Sequence, residues 1–174
     1  MRLKNLGILI VSLATFASLA CSSERDNPAY KDSVQHALEQ ADLKDVSVSE
    51  DRDKNTITLE GTLHSEDAKR NAGDVAKNAA GPRIVANEIS VQPLGAESEA
   101  KDIASNRDEA IEKNFKAALI AQGLDKQHIR FDAKNGVLTL KGSVKTPPER
   151  LEAQQVAQAV PNVQQVVNNL DVKR

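Results

Sequence analysis

The residues that most often perform catalysis or bind metals are few and scattered in this 174-residue sequence. The three histidines, His36, His64 and His128, do not have the spacing of a metal site. No serine lies in a nucleophile motif, and there is no glycine-rich phosphate loop. The carboxylates are spread over predicted solvent-exposed faces. We therefore expect a protein that is not an enzyme and that has no metal site and no cofactor.

Cys21 is the only cysteine of the sequence, so it cannot form a disulfide within the chain. Two basic residues and then an uncharged apolar run at residues 6–20 precede it. This order is typical of a secretion signal, and the run is too short for a membrane-spanning helix. Residues 1–20 are therefore predicted to be a signal peptide.

Residues 17–21, Ala-Ser-Leu-Ala-Cys, resemble the lipobox of bacterial lipoproteins. The resemblance implies that Cys21 is lipid-modified and becomes the mature N-terminus, which makes it a lipid anchor. The alternative is ordinary cleavage after Ala20, which leaves a soluble periplasmic protein. An unpaired cysteine here, in an oxidising compartment, favours the anchor. Ser22 follows it rather than an aspartate, which favours the outer membrane, facing the periplasm.

A second candidate site lies on a predicted helix near residues 111–122. Lys113, Lys116 and Ile120 share the face opposite the apolar side of this helix, at 100° per residue. A basic face with an apolar contact suits binding at a membrane surface. The alternative is an isolated exposed isoleucine beside solvated lysines, which is common on protein surfaces.

The helix belongs to one of two copies of a repeated sequence. Thr-Leu-Glu-Gly-Thr-Leu at 58–63 returns as Thr-Leu-Lys-Gly-Ser-Val at 139–144, with a constant offset of 81. Residues 87–91 return at 168–172 with the same offset. In the first copy, the positions equivalent to the basic face are Asp32, Gln35 and Glu39. The repeat predicts two small domains of one topology.

The repeat also predicts the domain boundaries. A tether occupies residues 21–29, the first domain 30–93, a linker 94–110 and the second domain 111–174. The linker is rich in alanine and glutamate, so it is expected to be partly helical.

Each copy is predicted to fold in the order αββαβ, which gives an α/β class of fold (an α+β sandwich). Asn135-Gly136 is a strong hairpin signal, and residues 146–149, Thr-Pro-Pro-Glu, combine an N-cap, a proline and a capping-box glutamate. Gly61 and Gly142 lie within predicted strands, which indicates a bulge or a closely packed helix. The asparagines at 87 and 168 are predicted to satisfy buried backbone groups.

The composition excludes a nucleic-acid-binding protein. Without residues 1–20, the chain carries 21 basic and 25 acidic side chains, whereas nucleic-acid-binding domains are basic. Only three aromatic residues remain to stack on bases or sugars: Tyr30, Phe115 and Phe131.

These motifs resemble the BON-domain family. The resemblance rests on a strand that ends in Thr-Leu-x-Gly-x-Leu/Val, a helix with Val-Ala, and Val-x-Asn-x-Ile/Leu-x-Val, each present twice. It implies two helices on a three-stranded sheet, attachment to envelope membranes and maintenance of the permeability barrier. For lipid-anchored members with two domains, it implies that the first helix of the second domain approaches anionic phospholipid.

The leading hypothesis is therefore a non-catalytic envelope lipoprotein that binds anionic phospholipid through its anchor and the second domain. The alternative is a periplasmic scaffold that binds or protects other envelope proteins during stress, such as osmotic stress. We expect no nucleic acid partner in either case.

Overall fold

The computed structural model describes residues 28–173, so the predicted signal peptide and Cys21 lie outside the described residues. The first domain consists of α1 (Lys31–Gln40), β1 (Val46–Asp51), β2 (Thr56–Leu63), α2 (Glu66–Ala79), β3 (Ile84–Asn87) and β4 (Ser90–Val91). The second consists of α3 (Glu97–Ala121), β5 (His128–Lys134), β6 (Val137–Val144), α4 (Pro147–Gln158) and β7 (Gln165–Val172). The predicted α/β class and the αββαβ order are confirmed.

Both sheets have the same topology. The first two strands form an antiparallel hairpin, and the last strand adds in parallel to the second, which gives the orders β1-β2-β3 and β5-β6-β7. The two helices of each domain pack on one face of its sheet. Along the strands, apolar side chains occupy alternate positions and point toward these helices. The opposite face of each sheet is not covered by the helices of its own domain.

The last strand of the first domain is interrupted, whereas β7 of the second domain is continuous. β3 ends at Asn87, and β4 resumes the parallel pairing with β2 at Ser90. The carbonyl oxygen of Glu88 lies in the gap and accepts a hydrogen bond from Asn135 Nδ2 of the second domain, at 2.8 Å. The equivalent residue Asn169 stays in register with β6. The second domain therefore forms a hydrogen bond with a backbone carbonyl group of the first domain at the point where the strand is interrupted.

The predicted turns and caps are confirmed where the signals were strong. Asn135 and Gly136 both have positive φ, 49° and 83°, and connect β5 to β6 as a two-residue turn. Thr146 and Glu149 form the predicted capping box at the start of α4. In the first domain, the side chain of Ser65 caps α2 through the backbone N–H of Ala68.

The two strand glycines are needed because of the backbone of the hairpin partner, and the prediction of a closely packed helix at these positions is wrong. Gly61 and Gly142 have φ values of 133° and 108°. The pairing continues past Gly142 without an inserted residue, so no bulge lies there, and Gly61 is the last residue of β2 that pairs with β1. A Cβ atom at Gly61 would overlap with the carbonyl oxygen of Asp45, and one at Gly142 with that of His128. The hairpin partner therefore leaves no space for a side chain.

The segment predicted as a linker is mostly helical. α3 begins at Glu97 and continues without a break to Ala121, so the segment between the two copies extends the first helix of the second domain. Gly123 follows the helix with φ 70°, the left-handed conformation common just after a helix.

Candidate functional site

The predicted membrane contact lies on the solvent-exposed side of α3. Lys113, Lys116 and Ile120, which we name the outer stripe, are all exposed, and 57% of Ile120 is accessible. The opposite side of the helix is fully buried at Ile111 and Phe115. The structure therefore brings the three predicted residues onto one accessible surface. By helical geometry, their positions span 60° around the helix axis.

The outer stripe also contains an acidic residue that the sequence analysis did not consider. Glu109 lies one turn before Lys113 and accepts a hydrogen bond from Lys113 Nζ at 2.6 Å. This hydrogen bond and the charge of Lys113 lower the pKa of Glu109. The i, i+4 spacing of Glu109 and Lys113 is the signal that could have revealed the pair. Within residues 28–173, Lys116 has no such acidic partner, so it is the cation of the stripe available to an anionic surface.

The equivalent surface of the first domain has the opposite character. Asp32 and Glu39 are exposed on α1, and Gln35 donates a hydrogen bond to Glu39 at 3.3 Å. The two helices present different charges on the same fold.

The two domains meet through the faces of their sheets that point away from the helices. Ala86, Val137 and Val167 project from these faces and form a small buried cluster. Around it, the ammonium group of Lys134 pairs with the carboxylates of Glu60 and, at 3.3 Å, Glu88. This arrangement is an interdomain interface with an apolar centre and a charged rim.

The charged rim alters the acidity of its members. Burial raises the pKa of Glu88, and Lys134 opposes this shift. The hydrogen bond to Glu60 raises the pKa of Lys134. A second ion pair joins Lys54 of the first domain to Asp171 of the second at 2.8 Å, with both side chains partly exposed.

Gln165 of the second domain caps the open edge of β3. Its side-chain oxygen accepts a hydrogen bond from the backbone N–H of Asn87 at 3.2 Å, and its Nε2 donates to the carbonyl oxygen of Val85 at 2.5 Å. These are the groups that a neighbouring strand would pair. One amide side chain therefore blocks an exposed sheet edge.

The β5–β6 turn is also held from both domains. Asp108 on α3 accepts hydrogen bonds from the backbone N–H groups of Asn135 and Gly136, at 2.6 and 2.9 Å. Lys69 on α2 donates to the carbonyl oxygen of Asn135 at 2.9 Å. The strongest turn signal in the sequence thus marks a point of contact between the domains, which no local pattern indicates.

The start of the described chain is attached to the first domain by a buried ion pair. Nε of Arg83 lies 3.0 Å from Oε1 of Glu50, and the two side chains are only 2% and 5% exposed. Arg83 also donates to the carbonyl oxygen of Pro28, and Glu50 accepts from the backbone N–H of Tyr30. The segment that precedes α1 is therefore held in place from Pro28 onward.

The asparagines at 87 and 168 have the predicted structural role. Asn87 Nδ2 donates to the carbonyl oxygen of Lys69 at 2.8 Å, and Asn168 Nδ2 donates to that of Arg150 at 3.1 Å. Each amide thus joins the last strand of its domain to the second helix.

The described part of the chain offers no group of side chains arranged to bind a metal ion. None of its helices is both long and apolar enough to cross a membrane.

The fold and these surfaces define a class of protein: a tandem pair of small α/β domains that present surfaces for contact. The family model described as BON domain matches residues 26–93 and 107–174, which make up most of the chain. The protein therefore belongs to the BON-domain family and contains two BON domains, as the motifs predicted.

The chain is similar to the osmotically-inducible protein Y of Escherichia coli (strain K12). The two are 29% identical over 150 residues, which cover 85% of this chain and 73% of that protein. Among solved structures, it is similar to the C-terminal domain of CdsD, the structural protein of the type III secretion system of Chlamydia trachomatis, with 13% identity and a TM-score of 0.34. That match covers 80% of this chain and 62% of the other.

Proposed function

We propose that this protein is a non-catalytic lipoprotein of the bacterial cell envelope, anchored through Cys21, whose second domain contacts anionic phospholipid through the outer stripe. The observation that carries the proposal is the exposed cationic and apolar surface on α3, at positions that are acidic or neutral on α1. The relative named for its osmotic induction supports a role in the envelope under osmotic stress.

The outer stripe should bind membranes weakly. A basic residue near an anionic surface contributes about 1 kcal/mol to the binding free energy. The ion pair with Glu109 reduces the contribution of Lys113. Ile120 adds at most the roughly 1.5–3 kcal/mol of a fully buried side chain. A single acyl chain also gives only marginal binding, so stable attachment needs a second contribution. In this proposal the anchor holds the protein at the outer membrane, facing the periplasm, and the stripe orients the second domain.

The anchor is tested by intact mass spectrometry of the native protein. Lipid on Cys21 and loss of residues 1–20 are the expected results, and Cys21→Ser should leave the precursor unprocessed or release a soluble form. A wild-type protein without lipid, and a variant that fractionates with membranes as the wild type does, would contradict the anchor and favour a soluble periplasmic protein.

Membrane contact is tested by flotation of the unlipidated chain from residue 22 onward with vesicles that contain phosphatidylglycerol. Binding should fall with Lys116→Glu and in high salt. Lys31→Glu, an equal charge change on exposed α1, is the matched control. Glu109→Gln should strengthen binding, because it frees the charge of Lys113.

The apolar part of the contact has its own matched pair. Ile120→Asn should weaken binding, whereas Leu151→Asn should not, although the two side chains are almost equally exposed, at 57% and 56%. If the wild type binds phosphatidylcholine vesicles equally well, or if Lys116→Glu floats like the wild type, the phospholipid proposal fails.

Such a failure would favour the alternative, a scaffold that binds other envelope proteins. The observation behind this alternative is that β1 and β5 each pair with a strand on one side only in the described chain. An open strand edge is able to receive an extended segment of another protein.

A further inference from the structure

A cavity of about 270 Å³ lies between the two domains, on the side of α3 opposite the outer stripe. The beginning of α2, the end of β4 and the first turns of α3 surround it. Its walls are apolar at Val91, Pro93, Ala100 and Ile103. It is therefore a site to which both domains contribute, and it is separate from the proposed membrane contact.

Two cationic side chains, one from each domain, line this cavity. Lys69 is only 7% exposed. Its Nζ makes one hydrogen bond, to Asn135 O, although an ammonium group has three N–H donors. Burial lowers the pKa of Lys69; Glu66 opposes this shift, and the positive charge of Arg107 adds to it. The two positive charges are thus close enough to affect each other.

Arg107 provides the second observation. Its Nε atom is buried and makes no hydrogen bond to any residue between 28 and 173. A buried donor without an acceptor costs free energy, and such groups are rare in native structures. Asp108, next in sequence, is occupied by the β5–β6 turn. The nearby Glu66 is solvent-exposed. An anion inside the cavity would offset both positive charges and would accept from the remaining N–H donors of Lys69.

We propose that this interdomain cavity binds a small anion that carries an apolar chain, with the anionic group at Lys69 and Arg107 and the chain against Pro93 and Ile103. The anionic group is a carboxylate or a phosphate, since both accept hydrogen bonds from ammonium and guanidinium groups. The apolar walls favour a ligand with an alkyl part over a bare ion. Because the ligand contacts both domains, its binding should also stabilise the interface between them.

The test is an NMR titration of the ¹⁵N-labelled chain from residue 22 onward, which contains every described residue. Sodium hexanoate and hexyl phosphate are the probes, with acetate and hexanol as the forms that lack the chain or the charge. Saturable shifts of amides in α2, β4 and the first turns of α3 are expected with either charged probe. Acetate should bind more weakly, and hexanol should produce no saturable shift. The tighter of the two charged probes identifies the anionic group.

Arg107→Gln should weaken hexanoate binding by about tenfold or more, because a hydrogen bond to a charged group is lost. Arg130→Gln removes an exposed arginine of the same domain and should change nothing. Ile103→Asp places a negative charge at the exposed rim, where 59% of Ile103 is accessible, and should weaken binding without disturbing the core. It keeps the test decisive if Arg107→Gln does not fold.

Three results would overturn the proposal. They are the absence of saturable shifts with both charged probes, equal binding of hexanol and hexanoate, and equal hexanoate affinity of Ile103→Asp and the wild type. Flotation of the same variants keeps this site distinct from the outer stripe, since Arg107→Gln leaves all three stripe residues intact.

Discussion

The two domains share one backbone topology but attach the start of their first helix differently. In the first domain, Glu50 and Arg83 form a buried ion pair. By its pairing with the second strand, Glu50 corresponds to Ala133, since Glu50 pairs with Ile57 and Ala133 with Leu138. Arg83 corresponds to Gln164. The second domain instead has an aromatic pair, in which the ring of Phe131 packs edge-on against Phe115, with centroids 5.0 Å apart. The first domain therefore holds its preceding segment with a charge pair, whereas the second domain, in which the helix simply continues, has an alanine and a glutamine at the corresponding positions.

A second difference concerns the first turns of α2 and α4. Lys69 and Arg150 are equivalent, and the carbonyl oxygen of each accepts the same asparagine hydrogen bond. The Arg150 side chain donates to Asn168 of its own domain, whereas the Lys69 side chain reaches Asn135 of the other domain. The copies thus keep the backbone contact that holds the fold, and they differ in the side chains that reach the other domain.

The largest expected effect comes from breaking the ion pair between Glu50 and Arg83 in the first domain. Arg83→Ala leaves the carboxylate of Glu50 buried without its partner, which typically costs about 3–5 kcal/mol of unfolding free energy. Gln164→Ala, at the equivalent exposed position, should cost little. Chemical denaturation of both variants measures the difference. Similar losses would show that the ion pair is not what distinguishes the two domains.

The next effect tests a feature that the domains share. Gly142→Ala should destabilise the protein by about 1–3 kcal/mol through overlap with the carbonyl oxygen of His128, in addition to the strain of a positive φ. Gly123 also has positive φ, at 70°, but no neighbouring atom within 4 Å, so Gly123→Ala measures the cost of a left-handed residue without any overlap. Thermal unfolding compares the two variants. Equal losses would exclude the steric explanation.

A smaller effect would sharpen the contrast between α1 and α3. Asp32→Lys combined with Glu39→Ile gives the first domain the charge and apolar contact of the outer stripe. Binding to anionic vesicles should increase, by about 1 kcal/mol for the new lysine. Flotation with and without the paired substitutions tests this. If the added residues give no extra binding, the stripe alone is not a sufficient membrane contact.

The smallest effect concerns Glu88, whose equivalent in the second domain is the neutral Asn169. A carboxyl group with a raised pKa binds more protons in the folded state, so its contribution to stability is present at low pH and is lost as pH rises above about 4.5, through the folded pKa. Glu88→Gln should remove this loss. Denaturation at several pH values measures it, with exposed Glu152→Gln as the control. Parallel profiles for wild type and Glu88→Gln would contradict this origin of the pH dependence.

Much of the fold was predictable because its signals are local. The turn at Asn135-Gly136, the capping box at Thr146 and the alternating strands depend on neighbouring residues, and the constant offset of 81 applied each inference twice. The outer stripe followed from helical periodicity as well. Glu109, which pairs with Lys113, was within reach of the same reasoning.

The sequence by itself determined the two copies, their family, the order of their elements and which helix carries the basic face. Tertiary structure decided the contacts between the domains, because these contacts join groups that are far apart in the chain. Only the packed sheets place Gln165 on the edge of β3, Lys134 beside Glu60 and Glu88, and Lys69 near Arg107. The strand glycines were visible in sequence, but the hairpin carbonyl that requires them appears only when the strands pair.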